Sequence, residues 1–530
     1  MDCISTRISY EQTGYFSKII TDYLAQSSLL KPFYAQPVSL QGIQEAMASR
    51  KSSAVNRALL VAELEKQYAS IQTTDIVKNN INLLLSNSTF TITTAHQPNI
   101  FTGYLYFIYK IIHTITLAQT LKENFPENNF VPVFYMGSED ADLEELSKLY
   151  LNGEKITWDT KQKGAVGRMH TKGLEKLIAR IEGEMNVQPH GAELIALLKE
   201  CYTNNTDIQT ATFKLVNALF AEYGLIVLIA DNANLKREMI NVFKDDLVQQ
   251  TPSVLVEKTI GRLSEHYKVQ ANPREINLFY LKDDTRERIV KANDEWRVTA
   301  TDIRFSETEL LHELEQHPER FSPNVILRGL YQETILPNIA FIGGGGEIAY
   351  WLELKDLFTH YNIPFPVLIL RNSFLLVEKK WQEKIAKLGF KAEDFFKEEN
   401  LLMEELVKRD SKTQLSLAGE ISDLQEIYQH IKNTAGKIDS SLIQHTENLQ
   451  TKAIQKLQRL EKKMLKAEKK RFDSAQHQLH TVKEALFPKG NLQERTDNFT
   501  PYYAKYGKAF IRMLVDHSLT LEQEFVILEA

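Results

Sequence analysis

The sequence predicts an α/β fold: a mostly parallel, doubly wound sheet followed by a long helical region. Short apolar or β-branched runs alternate with helical patterns between residues 89 and 371, which is the signature of βαβ units. These runs are followed by glycines, amides, carboxylates or arginine, the residues that ligands meet at the carboxyl ends of parallel strands. From about Glu378 the character changes. Residues 379–480 have almost no proline and little glycine, and apolar residues recur three and four apart.

The elements follow in order. Residues up to about 88 read as helical, with Leu59, Leu60, Leu64 and Tyr68 on one face. The first buried strand is 89–94, Thr-Phe-Thr-Ile-Thr-Thr, rich in β-branched side chains. A loop with Pro98 and Gly103 leads into a mostly apolar helix over 104–121. The second strand is 131–136, followed directly by the acidic stretch 138–145. A third, 224–231, places Asp231 at its carboxyl end. Phe341 and Ile342 run into four glycines that open a helix, and 364–371 is the last core strand. The gaps between the second, third and fourth strands are too long for simple crossovers and predict inserted subdomains. Residues 275–290 read as a small hairpin turning at Asp283-Asp284.

This divides the chain into a first half of the core (1–150), a connective insertion (151–223), a core strand and helix (224–260) and a second connective insertion with the hairpin (261–322). The second half of the core (323–378), a helical coiled coil (379–480) and a C-terminal segment packing back on the core (481–530) complete it. In the coiled coil, Leu417, Ile421, Leu424, Tyr428 and Ile431 form one stripe, and Leu449, Ala453, Leu457, Leu460, Met464 and Ala467 a second. A break is expected near Gly436. The basic run from Lys462 to Arg471 reads first as a solvated helix face.

Composition narrows the function classes. A net charge of −6 and a pI near 6.2 argue against a general nucleic-acid binder. Two distant cysteines, Cys3 and Cys201, form no disulfide framework and point to a reducing compartment. The first residues carry no apolar signal region, and no run approaches the ~18–20 apolar residues that span a bilayer. The expected location is the cytoplasm, without nucleic-acid or membrane partners.

Several groups could carry chemistry. His96, Gln97 and Asn99 sit where the first strand gives way to a helix. A helix N-terminus there offers free N–H groups to an anion, while Gly103 lets a ligand or backbone come close. The alternative is a polar cap. Lys110 lies in an aromatic-rich helix and either reaches the surface or stands in a pocket as a cation. Ser138, Glu139, Asp140 and Asp142 could bind an amine, act as general base or hold a metal, or simply favour a helix's first turn. The glycine run, with Gly343 and Gly344, is neither a strict G-x-G-x-x-G nor a Walker A loop. It reads as a ligand-facing loop or a tight turn, with Glu347, Tyr350 and Trp351 on the following helix. Arg371, ahead of Asn372 and Ser373, suits a carboxylate or phosphate. Gln493, Glu494 and Arg495, with Lys505, Lys508 and nearby tyrosines, form a mixed basic and aromatic cluster suited to a nucleotide or to ordinary packing. No Cys/His spacing supports a zinc site, and no metal site is expected.

Taken in order, these segments resemble one family, the cysteine-adding enzyme of bacillithiol biosynthesis, BshC. The resemblance rests on Thr94-Ala-His-Gln-Pro-Asn-Ile-Phe-Thr-Gly103, Tyr109-Lys110, Val131-Pro-Val-Phe-Tyr135 and Ser138-Glu-Asp-Ala-Asp142. It continues through Pro273-Arg-Glu-Ile-Asn-Leu-Phe-Tyr280, Arg328-Gly-Leu-Tyr-Gln-Glu333, the stretch from Gly343 to Trp351, the coiled coil, Leu486-Phe-Pro and Leu492-Gln-Glu-Arg495. It implies a Rossmann-like core like that of class I aminoacyl-tRNA synthetases, with connective insertions, and a coiled coil that supports a homodimer. It implies a ligase joining L-cysteine to glucosaminyl-malate through an activated cysteinyl intermediate, with ATP or ADP as cofactor.

Under that reading, His96, Glu139, Asp140 and Asp142 are the catalytic candidates. Gln97, Asn99, Gly103, Lys110, Ser138, Gly343, Gly344, Glu347, Tyr350, Trp351 and Arg371 bind substrate, and Asn372, Ser373, Arg495 and Lys508 bind the nucleotide. The chain departs from the family's usual pattern at Ala95-His96, at Ala141, where a histidine is common, and at Gly345, where a proline is common. It also lacks the Lys-Met-Ser-Lys-Ser loop of the synthetases. A different amide ligase, or a nucleotide-binding coiled-coil adaptor without activity, are the rival readings.

Overall fold

A computed structural model describes residues 3–203 and 206–530. The chain forms two compact units, one of residues up to 375 together with 492–526, the other of 376–491 with 527–530.

The first unit is organised by five parallel strands: β1 (Thr89–His96), β2 (Asn129–Met136), β3 (Ile226–Ile229), β4 (Asn338–Gly343) and β5 (Val367–Leu370). Their spatial order is β5-β4-β1-β2-β3. This is the strand order of a Rossmann fold, so the direction of winding reverses between β1 and β4. The strands are buried on both faces, which explains why their residues do not alternate apolar with polar. Buried hydroxyls inside β1 are satisfied within the sheet. Thr94 donates to the Ile342 carbonyl at 2.8 Å, and Thr93 to Asn338 Oδ1 at 2.8 Å.

Helix α1 (Leu105–Asn124) follows β1 and is buried nearly all round. Helices α2 (Val325–Ile335) and α3 (Gly345–Leu352) flank β4. The first insertion holds a hairpin, Lys148–Leu151 with Glu154–Thr157, and three helices, Leu174–Met185, Gly191–Tyr202 and Ile208–Phe220. In the second insertion the predicted hairpin is Leu278–Lys282 with Thr285–Ala292. Asp283 takes the left-handed turn position, φ 50°. The hairpin belongs to a five-stranded sheet, larger than the sequence foretold. A strand, Ile4–Ser9, also precedes the N-terminal helices, where the sequence predicted helix alone.

In the second unit, helices α4 (Ala418–Ile438) and α5 (Ser441–Lys469) fold back on each other as an antiparallel hairpin. Lys432 pairs with Glu447, and the Leu417 N–H donates to Glu461 at 3.1 Å. The break falls at Asp439 and Ser440, close to Gly436, which is still helical and packs against Ile443 across the hairpin. Among the described residues no helix is long and apolar enough to cross a membrane.

A buried ion pair ties the N-terminal helices to the sheet. Arg50 is 2% exposed and Glu333 fully buried, and they meet at 2.6 Å. Arg50 also donates to the carbonyls of Asn338 at 2.8 Å and Glu333 at 2.9 Å. Burial raises the Glu333 carboxyl above its usual range, and the Arg50 charge pulls it partly back. Arg50→Met is expected to lower stability by about 3–5 kcal/mol, because it strands a buried carboxylate. The loss should show as a lower denaturant midpoint at constant slope. A loss below about 1 kcal/mol would mean that Glu333 does not depend on its partner.

Candidate active site

A cavity of about 560 Å³ opens at the carboxyl ends of the strands, where the winding reverses. The register explains why so many polar groups converge there. His96 pairs with Met136, Ile342 with Thr94 and Gly343 with Leu370, so these strands end nearly level. The residues that follow them form the walls.

From β1 come Ala95, His96 and Gln97, and from α1 Tyr106 and Lys110. Beyond β2 lie Gly137 and Asp140; Gly344, Glu347 and Tyr350 stand at the start of α3, and Arg371 follows β5. The second insertion supplies Phe279 and Arg286, the start of α2 supplies Asn324 and Arg328, and the returning C-terminal segment supplies Arg495.

Two ion pairs cross this cavity. Lys110 pairs with Glu347, and its ammonium also donates to the Ala95 carbonyl at 2.8 Å. The pair joins α1 to α3, the two helices that leave the sheet on either side of the reversal. Burial holds the Lys110 ammonium below its usual range despite the Glu347 charge. Asp140 accepts from Gln97 at 2.7 Å and pairs with Arg328 at 3.3 Å. Burial works against its ionisation, but the Arg328 and Arg286 charges and its hydrogen bonds outweigh that and hold it at about 2. Asp140 is therefore an anion at neutral pH and a poor base.

His96 lies edge-on to Tyr106, ring centres 5.4 Å apart, and close to Phe107. Burial, together with the charges of Lys110 and Arg371, depresses its pKa well below the usual histidine value. It is an uncharged imidazole at neutral pH. Arg371 is 2% exposed and anchored by Glu494 at 2.7 Å and Ser373 at 3.1 Å. Its guanidinium lies over the Tyr106 ring at 5.3 Å. Arg286 stacks on Phe279 at 3.9 Å. Neither Arg286 nor Arg495 has an ion partner within 4 Å among the described residues. The five lining cations outnumber the lining carboxylates, Asp140 and Glu347, and the cavity carries a surplus of positive charge.

Of the residues singled out from sequence, His96, Gln97, Lys110, Asp140, Gly344, Glu347, Tyr350, Arg371 and Arg495 meet at this cavity. Others are turned elsewhere. Glu139 is buried in an ion pair with Lys236, which also faces Asp231 at 3.6 Å, and Asp231 takes a bidentate Arg168. Burial raises Glu139 above the usual carboxylate range even so. Asp142 caps a short helix by accepting from the Glu145 N–H at 3.0 Å. Ser138 is buried, with Gly167 packed so closely that an added Cβ would collide with it. Asn99 is fully buried beneath Gly103, whose missing side chain makes room for its amide. Gly343 is the last residue of β4, hemmed in by Phe341 and Glu347. Trp351 packs on Phe341 and Phe358 in the core.

The nucleotide-binding candidates fare similarly. Asn372 is locked by the His113 ring and by Ser518 and Leu519, and Ser373 serves Arg371 and Glu494. Lys508 is exposed and faces Glu222 at 3.7 Å. Sequence reasoning assigned no role to Tyr106, Tyr135, Asn324, Arg286 or Arg328, all of which line the cavity. Arg328 heads the Arg-Gly-Leu-Tyr-Gln-Glu stretch and Arg286 sits in the predicted hairpin, so both segments were visible but their direction was not.

Residues 1–372 match the model of the "Bacillithiol biosynthesis BshC, N-terminal Rossmann-like domain", and residues 374–530 match that of the "Bacillithiol biosynthesis BshC, C-terminal coiled-coil domain". A Flavobacterium johnsoniae protein named "Putative cysteine ligase BshC" is 41% identical over 99% of both chains. The protein of that name from Flavobacterium psychrophilum is 39% identical over 100% of this chain and 99% of its own. A Campylobacter jejuni structure described as a "putative arginyl t-RNA synthetase" aligns at 9% identity and a TM-score of 0.22, covering 86% of this chain and 100% of its own. That likeness is too slight to carry an argument.

The depressed pKa of His96 has a signed consequence. The unfolded chain takes up a proton near the ordinary histidine value of about 6.5, while the folded chain does not. Stability contributed by the neutral ring is present above that pH and lost as the pH falls below it. The loss between pH 7 and pH 5 is expected to be smaller in His96→Gln than in the native chain. Imidazole NMR signals should show a ring that is still neutral where an ordinary histidine is half protonated, and a midpoint near ~6.5 would contradict this placement.

Proposed function

Because the chain belongs to the BshC family of bacillithiol biosynthesis, we propose that its cavity joins L-cysteine to the amino group of glucosaminyl-malate. The observation that carries this reading is the surplus of positive charge beside one firmly ionised carboxylate and one uncharged imidazole. A malyl group brings two carboxylates, which suit the unpaired Arg286 and its neighbour Arg328. Asp140, held ionised, can take an ammonium from an amino acid or amino sugar. The neutral His96 can accept a hydrogen bond from the sugar amine and orient it, while the proton released as the C–N bond forms leaves with the displaced group or to solvent, since burial and the nearby cations make the ring a weak base. Glu139 and Asp142 have no part in this scheme, since both are engaged elsewhere.

Amide formation from a carboxylate needs an activated acyl group, and the reading includes an activated cysteinyl intermediate with ATP as the activating nucleotide. Arg371 and Arg495 fit its phosphates by charge and by their position at the cavity wall. ATP supplies the phosphoryl or adenylyl leaving group; the chain's residues bind and orient the substrates. We extend the reading to a homodimer through the helical hairpin, on which Ile427, Ile431, Leu449 and Leu460 are exposed, and to a cytoplasmic location.

Incubating the purified chain with L-cysteine, glucosaminyl-malate and ATP is expected to yield bacillithiol, detected by mass. Equal yield without ATP would remove activation by the nucleotide. Charge-assisted hydrogen bonds are worth about 1.5–3 kcal/mol, so Arg286→Met and Arg328→Met should each raise KM for glucosaminyl-malate roughly ten-fold or more. For a glucosamine lacking the malyl group the loss should be smaller, confined to what these arginines contribute through Asp140. Equal losses on both substrates would show that these arginines do not read the malyl carboxylates.

A further inference from the structure

The turn between β1 and α1 is held in an unusual backbone. Phe101 and Thr102 both have positive φ, 48° and 66°, and Gly103 follows at 63°. A β-branched residue such as threonine is an outlier there, and such backbone persists only where its surroundings over-determine it.

Two side chains grip the turn from outside: the Phe101 N–H donates to the Tyr202 hydroxyl at 3.1 Å, and Asn498 holds two of its carbonyls. Asn498 is 1% exposed and reaches the turn from the returning C-terminal segment. Its amide nitrogen donates to the Phe101 carbonyl at 2.9 Å and also to the Gly103 carbonyl. Its oxygen accepts from the Thr500 N–H at 2.9 Å. Beside it, the Leu105 N–H donates to the Asp497 carbonyl at 2.8 Å, fixing the first residue of α1. The same segment carries Glu494 to Arg371 and brings Arg495 to the cavity. Asn498 does not line the cavity.

We propose that Asn498 is a positioning residue: by clamping two carbonyls of the left-handed turn it fixes the direction in which α1 leaves β1, and so aims Tyr106 and Lys110 at the cavity. This rests on the cavity being the site of amide formation. It gives the C-terminal segment a part in the site beyond covering the core.

Two variants separate positioning from packing. Asn498→Asp keeps the acceptor for the Thr500 N–H but replaces the donor with a carboxylate facing two carbonyls. Thr102→Gly removes the left-handed penalty, since glycine enters that region freely. The first is expected to lower kcat/KM for bacillithiol formation about ten-fold or more, and to speed hydrogen exchange of amides 100–106 about ten-fold without changing exchange in the strands. Adding Thr102→Gly is expected to restore several-fold of the lost kcat/KM, so the two changes couple rather than add. Native-like exchange and activity in Asn498→Asp would overturn the proposal, as would losses that simply add in the double variant. Should the native chain form no amide, the functional reading falls, and the local exchange change in Asn498→Asp alone decides whether this amide clamps the turn.

Discussion

The ion pair between Lys110 and Glu347 crosses the one place where this fold must part. In a doubly wound sheet the connections after β1 and β4 leave in opposite directions, and a crevice opens between them. Lys110 reaches back from α1 to the Ala95 carbonyl and across to α3. A buried ammonium is tolerated only with a carboxylate and a carbonyl at hand. That need draws in the rest. Glu347 accepts from the Gly344 N–H at 2.7 Å as well as from Lys110, so the opening of α3 is set by the same carboxylate.

Once Lys110 is neutralised, the remaining cations define the cavity. Arg371 has Glu494 and Arg328 has Asp140. Arg286 and Arg495 have no such partner among the described residues, and each comes from a part of the chain outside the parallel sheet. The insertion and the C-terminal segment thus add charge to a site whose floor the core provides. The same charges explain the acid–base pattern. Cations near Asp140 stabilise its ionised form, and cations near His96 oppose its protonation. Burial first, and then the Lys110 and Arg371 charges, keep the imidazole neutral, while the Arg328 and Arg286 charges keep Asp140 ionised beside it.

Much of this fold was legible because parallel strands leave a strong mark. The β-branched run at 89–94, the apolar runs at 131–136 and 364–371 and the glycine opening of α3 each locate a strand or its exit. Their exits then locate the cavity, which is why His96, Lys110, Glu347 and Arg371 could be named without coordinates. Sequence could not say which way a side chain points after the strand ends. Glu139 and Asp140 are neighbours, yet one turns to Lys236 and the other to Arg328 and the cavity. Nor could it show that residues 278 to 323 fold into a sheet presenting Arg286, because long-range pairing leaves no periodic trace in so short a strand. Asn372 and Ser373 looked like ligand groups because they follow an arginine at a strand end. They serve instead to hold that arginine and the strand's exit.

The departure at Ala141 takes on a physical meaning beside His96. Strands β1 and β2 are adjacent and in register, with His96 level with Met136. His96, at the end of β1, lines the cavity, whereas Ala141 in the acidic loop after β2 is not among its lining residues. The β1 position adds two constraints that the loop would not. It sets the ring edge-on to Tyr106 and tilted against Phe107, and burial together with the Lys110 and Arg371 charges keeps it unprotonated. An imidazole placed there has an open nitrogen lone pair at neutral pH and needs no carboxylate partner to keep it. That state lets the ring accept a hydrogen bond from an amine, while the burial and the cations that keep it neutral also make it a weak base.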